Sequence, residues 1–285
     1  FLSSLLPFLP FLLAILPNVA FPFFRPFPLP FPSFPSVPAF SVPSPFFPPE
    51  ARRSDGSKRA LYHGVLDTMD EQLGVLFDYV RNSPNLQNNT LILVCSDNGP
   101  EKGAGSAGPF RGFKTHLFEG GIRSSLIAWA PGLIDSDKTG TVNTDSWFSA
   151  MDLVPSLLSL ANVKTNTRFD GQPLGSMILG NTNESRNAPL FFRRPPDRDS
   201  FYGISDCPDL AVRDGDWKLL CEYDGTQAEL YNLKLDRGEK NNVASDHPDV
   251  TRRLTASVVQ WHQTMPQDAG STFDATPKSR KPKNR

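Results

Sequence analysis

Proline crowds the start of this chain. Fourteen of its 28 prolines and 12 of its 22 phenylalanines fall within residues 1–50, where Arg25 and Glu50 are the only charged residues. Each proline withdraws a backbone donor and clashes with the helical turn before it. The longest apolar stretch free of proline, Phe11–Leu16, has six residues, against the ~20 that a membrane-spanning helix requires. Residues 1–50 are therefore expected to form no transmembrane span and to read as a low-complexity segment outside the folded core. FLSSLLPFLPFLLAILPNVA has the apolar character of a secretory leader, but no basic residue precedes its apolar part.

Beyond this segment the composition is ordinary. The net charge is -1 and the pI is near 6.5, which argues against a nucleic-acid partner. In residues 51–187, Leu61, Val65, Met69, Leu73, Leu76 and Val80 recur at helical steps. The spacing predicts a helix over Lys58–Ser83, ended by Asn82-Ser83-Pro84-Asn85. TLILVC (Thr90–Cys95) and SSLIAWA (Ser124–Ala130) read as strands. DLVPSLLSLA (Asp152–Ala161) reads as a short helix with Asp152 as its N-cap. A helix leading into a buried strand is the grammar of an α/β sheet.

The pattern changes in residues 188–266. Strands are expected at Pro189–Arg193, Leu210–Val212, Trp217–Glu222 and Glu229–Leu235, with a hairpin at Arg213-Asp214-Gly215-Asp216. A final amphipathic helix is expected over His247–His262. Residues 267–285 form a tail with five positive charges between Lys278 and Arg285, expected to be solvated. Cys95, Cys207 and Cys221 form no C-x-x-C pair, which argues against a zinc site. Cys207 and Cys221 are candidates for a disulfide if the protein is exported.

The stretch VCSDNGPEKGAGSAGPFRGFKTHLFEGGIRS (Val94–Ser124) carries the candidate chemistry. Gly103-x-Gly105-x-x-Gly108 imitates a dinucleotide fingerprint. However, seven residues separate it from Cys95, and Pro109-Phe110-Arg111-Gly112-Phe113-Lys114 follows where a helix should begin. Asp97 and Asn98 stand at the carboxyl end of a predicted strand, where open α/β sheets bind ligands. A carboxylate and an amide are hard oxygen donors that suit calcium or magnesium; Asp-Asn-Gly is also sound turn chemistry. Lys114 lies 17 residues after Asp97, between Gly112 and Gly121. Beside a divalent cation, an ammonium is favourable when a sulfate or phosphate ester lies between the two; a solvated loop lysine is the plainer alternative. His116 stands two residues further on, within reach of the same anion, and His63 belongs to a helix face.

These residues resemble a known family. Met69-Asp70-x-x-Leu73-Gly74, Asn89-Thr90-Leu91-Ile92, Ser96-Asp97-Asn98-Gly99, Gly112-Phe113-Lys114 and Glu119-Gly120-Gly121-Ile122-Arg123 occur in the order found in the C-terminal half of a sulfatase of the alkaline-phosphatase-like superfamily. Asp152-Leu153-Val154-Pro155-Ser156-Leu157-Leu158, Asp170-Gly171, Trp217-Lys218-Leu219 and Glu229-Leu230-Tyr231-Asn232-Leu233 continue the pattern. The resemblance covers about Lys58–Pro266. It implies part of a mixed alkaline-phosphatase-like α/β sheet with flanking helices, followed by a small C-terminal antiparallel sheet and helix. It also implies hydrolysis of sulfuric esters, of the arylsulfatase type that acts on sulfated sugars. In that reading Asp97 and Asn98 are ligands of Ca2+, Lys114 binds the sulfate group, and Glu119 to Arg123 shape the loop. The partner would be a sulfate-ester small molecule or a sulfated polysaccharide, and the protein would be exported.

The chain departs from the family in one decisive respect. Sulfatases of this type use a formylglycine made within C/S-x-P-S-R, and no such motif occurs in the 285 residues. Ser41-Val42-Pro43-Ser44-Pro45 comes near but has proline in place of arginine. The resemblance also supplies no N-terminal Asp-Asp metal ligands. The expectation is a truncated sulfatase with weak calcium affinity and an exposed apolar edge. The alternatives are a phosphatase or phosphodiesterase of the same superfamily, which would require more histidine ligands, and a non-catalytic sulfated-glycan-binding remnant. Arg193, Arg194 and Arg198, in a loop running to Asp206, are candidates for contact with an acidic sugar.

Overall fold

The structure, a computed structural model, describes residues 12–15, 57–194 and 207–266. The chain divides into two units. One contains Leu12–Val94 and Ile127–Val142, and the other contains Cys95–Leu126 and the chain from Asn143 onward.

The first unit contains strand β1 (Leu12–Ile15), helix α1 (Lys58–Asn82), most of strand β2 (Leu91–Cys95) and most of strand β3 (Leu126–Trp129). Ser57 caps α1 by accepting from the Ala60 amide at 3.2 Å. At the other end the Ser83 amide donates to the Val80 carbonyl, and Pro84 follows. The expected apolar stripe is present, but it is buried unevenly. Val80 is buried, Met69, Leu73 and Leu76 are half-buried, and Leu61 and Val65 are exposed together with Leu66, Val75 and Tyr79. His63 is exposed. Near the end of α1, Phe77 meets the Trp129 ring edge-on at 4.9 Å, and Arg81 stands over the same ring.

The strands lie in the order β1-β2-β3. β2 is the central strand and buries Leu91, Ile92 and Leu93, as an uninterrupted apolar run should. β1 pairs antiparallel with β2, Leu12 opposite Val94 and Ile15 opposite Leu91. One strand thus arises inside the proline-rich segment that was expected to stand apart, and it falls in the proline-free run Phe11–Leu16 where a ladder is possible.

The second unit is built on an antiparallel sheet in the order β4 (Leu190–Arg193), β5 (Leu210–Asp214), β6 (Trp217–Cys221), β7 (Glu229–Asn232). β5 and β6 form the expected hairpin. Asp214 pairs with Trp217 across a two-residue turn in which Gly215 has φ 59°, a conformation glycine adopts without strain. Alternation along the strands gives the sheet two different faces. On one, Leu210, Val212, Leu219, Cys221 and Leu230 pack against Leu254 and Val258 of helix α5 (Pro248–Thr264). On the other, Ala211, Leu220 and Tyr231 pack against Leu117 and Phe118.

Short helix α2 (Glu119–Ile122) follows those two residues, and helices α3 (Ala150–Leu160) and α4 (Gly175–Ile178) complete the unit. The N-cap of α3 is Ser149, not Asp152. Asp152 is the acidic third residue of a capping box and accepts from the Ser149 amide at 2.8 Å. It is fully buried, ion-paired with Arg186, and accepts from the Gln172 amide at 2.7 Å. The cap falls three residues earlier than expected, at Ser149, which leaves Asp152 in the first turn.

Among the described residues no disulfide joins Cys207 to Cys221, the pair that export would have favoured. Burial, aided by Glu222, Asp224 and Asp209, pushes the Cys221 thiol up to about 12. No described helix is long and apolar enough to cross a membrane.

Candidate anion and metal site

Asp97 and Asn98 follow β2 directly, as the strand-end reading requires. Asp97 is exposed and Asn98 half-buried. Ser96 donates its hydroxyl to the Asn98 carbonyl at 2.9 Å, and the Asn98 side-chain amide donates to the Gly99 carbonyl at 2.9 Å. The Asn98 amide is thereby oriented through its nitrogen.

Three bonds zip this segment to the glycine-bracketed loop. The Ser96 amide donates to Ser124 Oγ at 3.0 Å, the Gly99 amide to the Gly121 carbonyl at 2.8 Å, and the Lys114 amide to the Pro100 carbonyl at 2.9 Å. The Lys114 backbone is thus joined to a residue two positions beyond Asn98. Glycine is required for this approach: a Cβ on Gly99 would lie 1.8 Å from the Gly120 carbonyl oxygen. The glycines of the imitation dinucleotide motif do other work. Gly103 and Gly108 take φ of 77° and 61° within turns.

The loop closes on itself, the Gly120 amide donating to the Arg111 carbonyl at 2.7 Å. Inside it, Gly112 has φ 89° and Thr115 has φ 82°. The second value is a strained one for a β-branched residue. Thr115 Oγ1 and both ring nitrogens of His116 are buried without a hydrogen-bond partner. The His116 ring lies 3.9 Å from that of Phe113. Burial, with Arg194, Lys102 and Arg111 nearby, lowers its pKa to about 4, so the imidazole is neutral at pH 7.

Next to the loop sits a cluster of charges in which sequence reasoning gave a role to Glu119 but none to Lys218 or Glu239. Glu119 is 2% exposed, Lys218 0% and Glu239 1%. Lys218 Nζ lies 2.9 Å from Glu119 Oε1 and 2.8 Å from Glu239 Oε1, the latter an ion pair without hydrogen-bond alignment. Glu239 Oε2 accepts from the Glu119 amide at 2.7 Å. Arg123 and Arg213 approach Glu119 Oε2 at 3.3 and 3.9 Å. Burial alone would push the Glu119 carboxyl up, but Lys218, supported by Arg213 and Arg123, outweighs it and holds the group below the usual range. Glu239 goes the other way, raised by burial despite Lys218. A lone lysine inside the apolar strand WKLLC was the available signal, since a fully buried lysine requires a partner.

A cavity of about 580 Å³ adjoins this cluster at Glu239 and is also lined by Arg111, Glu229 and Tyr231 among others. Its walls include none of Asp97, Asn98 and Lys114. Arg194 is 6% exposed and paired with Asp209 at 3.2 Å, so it braces the fold and does not face a sugar. Arg193 donates to the Pro266 carbonyl at 3.2 Å. Arg198 lies outside the described residues.

Asp97 and Asn98 fit a hard cation in donor type. Among the described residues no group of three or more His, Cys, Asp or Glu side chains could hold a metal, and calcium takes about 6–8 oxygens. Two such donors alone fall short of that number.

The strand-end acid–amide pair and the flanking helices belong to an α/β protein of alkaline-phosphatase-like fold. Ps i-CgsB, solved in complex with k-i-k-neocarrahexaose, superposes with a TM-score of 0.60 at 26% identity, covering 72% of this chain and 43% of that one. Residues 32–163, a little under half of the chain, match the Sulfatase family model, and the chain is similar to sulfatases over that stretch. The dog N-acetylgalactosamine-6-sulfatase is 32% identical over 238 residues, 73% of this chain and 44% of its own length. Mouse arylsulfatase K is 26% identical over 200 residues, 69% and 34% respectively. The chain thus spans less than half the length of these curated relatives.

Proposed function

We propose that this chain contributes the sulfate-gripping part of a sulfuric ester hydrolase, with Lys114 binding the sulfate group and Asp97 and Asn98 supplying two oxygen ligands to calcium. The observation that supports this reading is the bond from the Lys114 amide to the Pro100 carbonyl, which joins the lysine's backbone to the segment two positions beyond the acid–amide pair. Calcium, when bound, would neutralise charge on the sulfate oxygens. Lys114 would add a point charge and donors to the same anion. The relatives' names point to sulfated sugars or aryl sulfates as the substrate class.

The nucleophile is not among these 285 residues, as C/S-x-P-S-R is absent. The chain alone is expected to bind sulfate without turning over an aryl sulfate. The test is calorimetry with inorganic sulfate in calcium, paired with an aryl-sulfate turnover assay. Lys114→Ala should weaken sulfate binding about tenfold, and Asp97→Asn should weaken calcium binding. Affinity that ignores both substitutions would end this assignment. Robust calcium-dependent turnover by the chain alone would end the binding-only account.

A further inference from the structure

We propose that Lys218 and Glu239 are positioning residues for Lys114, pinning both ends of its loop from β6 and from the turn segment that follows β7. The proposal rests on the sulfate-binding assignment of Lys114 and adds how that side chain is held in place.

Two independent observations converge on it. The first is that the loop from Arg111 to Gly120 is not at rest on its own terms. Thr115 sits at φ 82°, and three buried polar atoms on Thr115 and His116 lack partners. A surface loop with those costs would relax unless the surrounding structure over-determined it. The second is that Glu239 reaches both ends of the loop. Its Oε2 accepts from the Glu119 amide at 2.7 Å, one residue before the closing glycine. Its backbone carbonyl accepts from Arg111 Nη1 at 3.3 Å, at the opening residue. Arg111 is fixed further by Tyr231 Oη at 2.9 Å, and its guanidinium lies 3.7 Å from the centre of the Phe118 ring.

Lys218 makes this arrangement stable. Without it, Glu119 and Glu239 would be two carboxylates buried side by side. With it, one ammonium from β6 bridges both at 2.9 and 2.8 Å. Lys218 lies on the sheet face that already meets Leu117 and Phe118, so apolar packing and the ion cluster clamp the same stretch of loop. Neither Lys218 nor Glu239 is exposed; they act through Glu119 and Arg111, not on the anion.

The test uses the full chain with Lys218→Met, the milder Glu239→Gln, and Lys218→Arg. Amide hydrogen exchange is measured at Lys114, Glu119 and Gly120 and, as an internal reference, on β5 and β6. Inorganic sulfate affinity is measured in parallel. The expected result is about tenfold faster exchange at the loop amides in Glu239→Gln, unchanged protection in β5 and β6, and weaker sulfate binding. Lys218→Arg should restore part of both. Loop amides that stay protected in a folded variant would overturn the proposal. So would loop and sheet amides that accelerate together, because uniform loss of stability does that. If the unaltered chain binds no sulfate, the assignment of Lys114 fails, while the exchange data still decide whether the pin exists.

Discussion

The two faces of the four-stranded sheet are held by different physics. Toward α5 the contact is apolar: Leu210, Val212, Leu219 and Leu230 against Leu254 and Val258, with Phe191 stacked on Trp261 at 5.3 Å. Toward the Lys114 loop, Ala211, Leu220 and Tyr231 give a thinner apolar layer, and Lys218 adds charge to it. Apolar burial is strong but has no direction. Ion pairs and hydrogen bonds give less net energy and fix geometry more tightly. The face that needs only to stay covered has the first, and the face next to the candidate site has both.

This contrast can be broken in graded ways. Lys218→Met should produce the largest effect, because it strands two buried carboxylates; a loss of about 3–5 kcal/mol is expected in urea unfolding. Leu254→Ala, on the α5 face, should cost about 3 kcal/mol through a cavity. It should leave sulfate affinity intact in the folded fraction, which separates the two faces functionally. A smaller effect is expected from acid. The His116 pKa is lowered to about 4 in the folded chain, against about 6.5 when unfolded. The unfolded chain therefore binds the proton first, and stability should fall as pH drops from about 6.5 to about 4. Partial exposure of this histidine limits the loss to about 1–2 kcal/mol. Unfolding of His116→Leu followed across that window should show a shallower slope. Ser149→Ala, remote from both faces, should cost only about 1 kcal/mol through the lost cap of α3.

Local signals in the sequence were read well where neighbours in the chain decide the outcome. Gly215 marked its hairpin, and the apolar run of β2 marked a buried strand. Asp97, Asn98 and Lys114 were singled out by residue type and spacing, and the fold joins the Lys114 backbone to Pro100, two positions beyond Asn98. What escaped depends on distant partners. Asp152 looked like a cap because helix starts favour aspartate, yet the cap falls at Ser149 and Asp152 is buried with Arg186. Arg194 looked like a sugar contact until Asp209 claimed it. Lys218 was read within a strand motif without a role, because its two carboxylate partners lie 99 residues before it and 21 after it. The stripe on α1 is periodic, but periodicity cannot say how much of it a neighbour will cover, and Leu61 and Val65 remain exposed.

Cys221 has a practical consequence. Its sulfur sits in the layer between sheet and α5, shut off from solvent and kept in the protonated form. Alkylating reagents act on thiolates, so this thiol should stay silent in the native chain while the half-exposed Cys95 is labelled first. The delay before Cys221 is modified would time each excursion in which the α5 layer parts from the sheet, a clock built into the protein without any introduced probe.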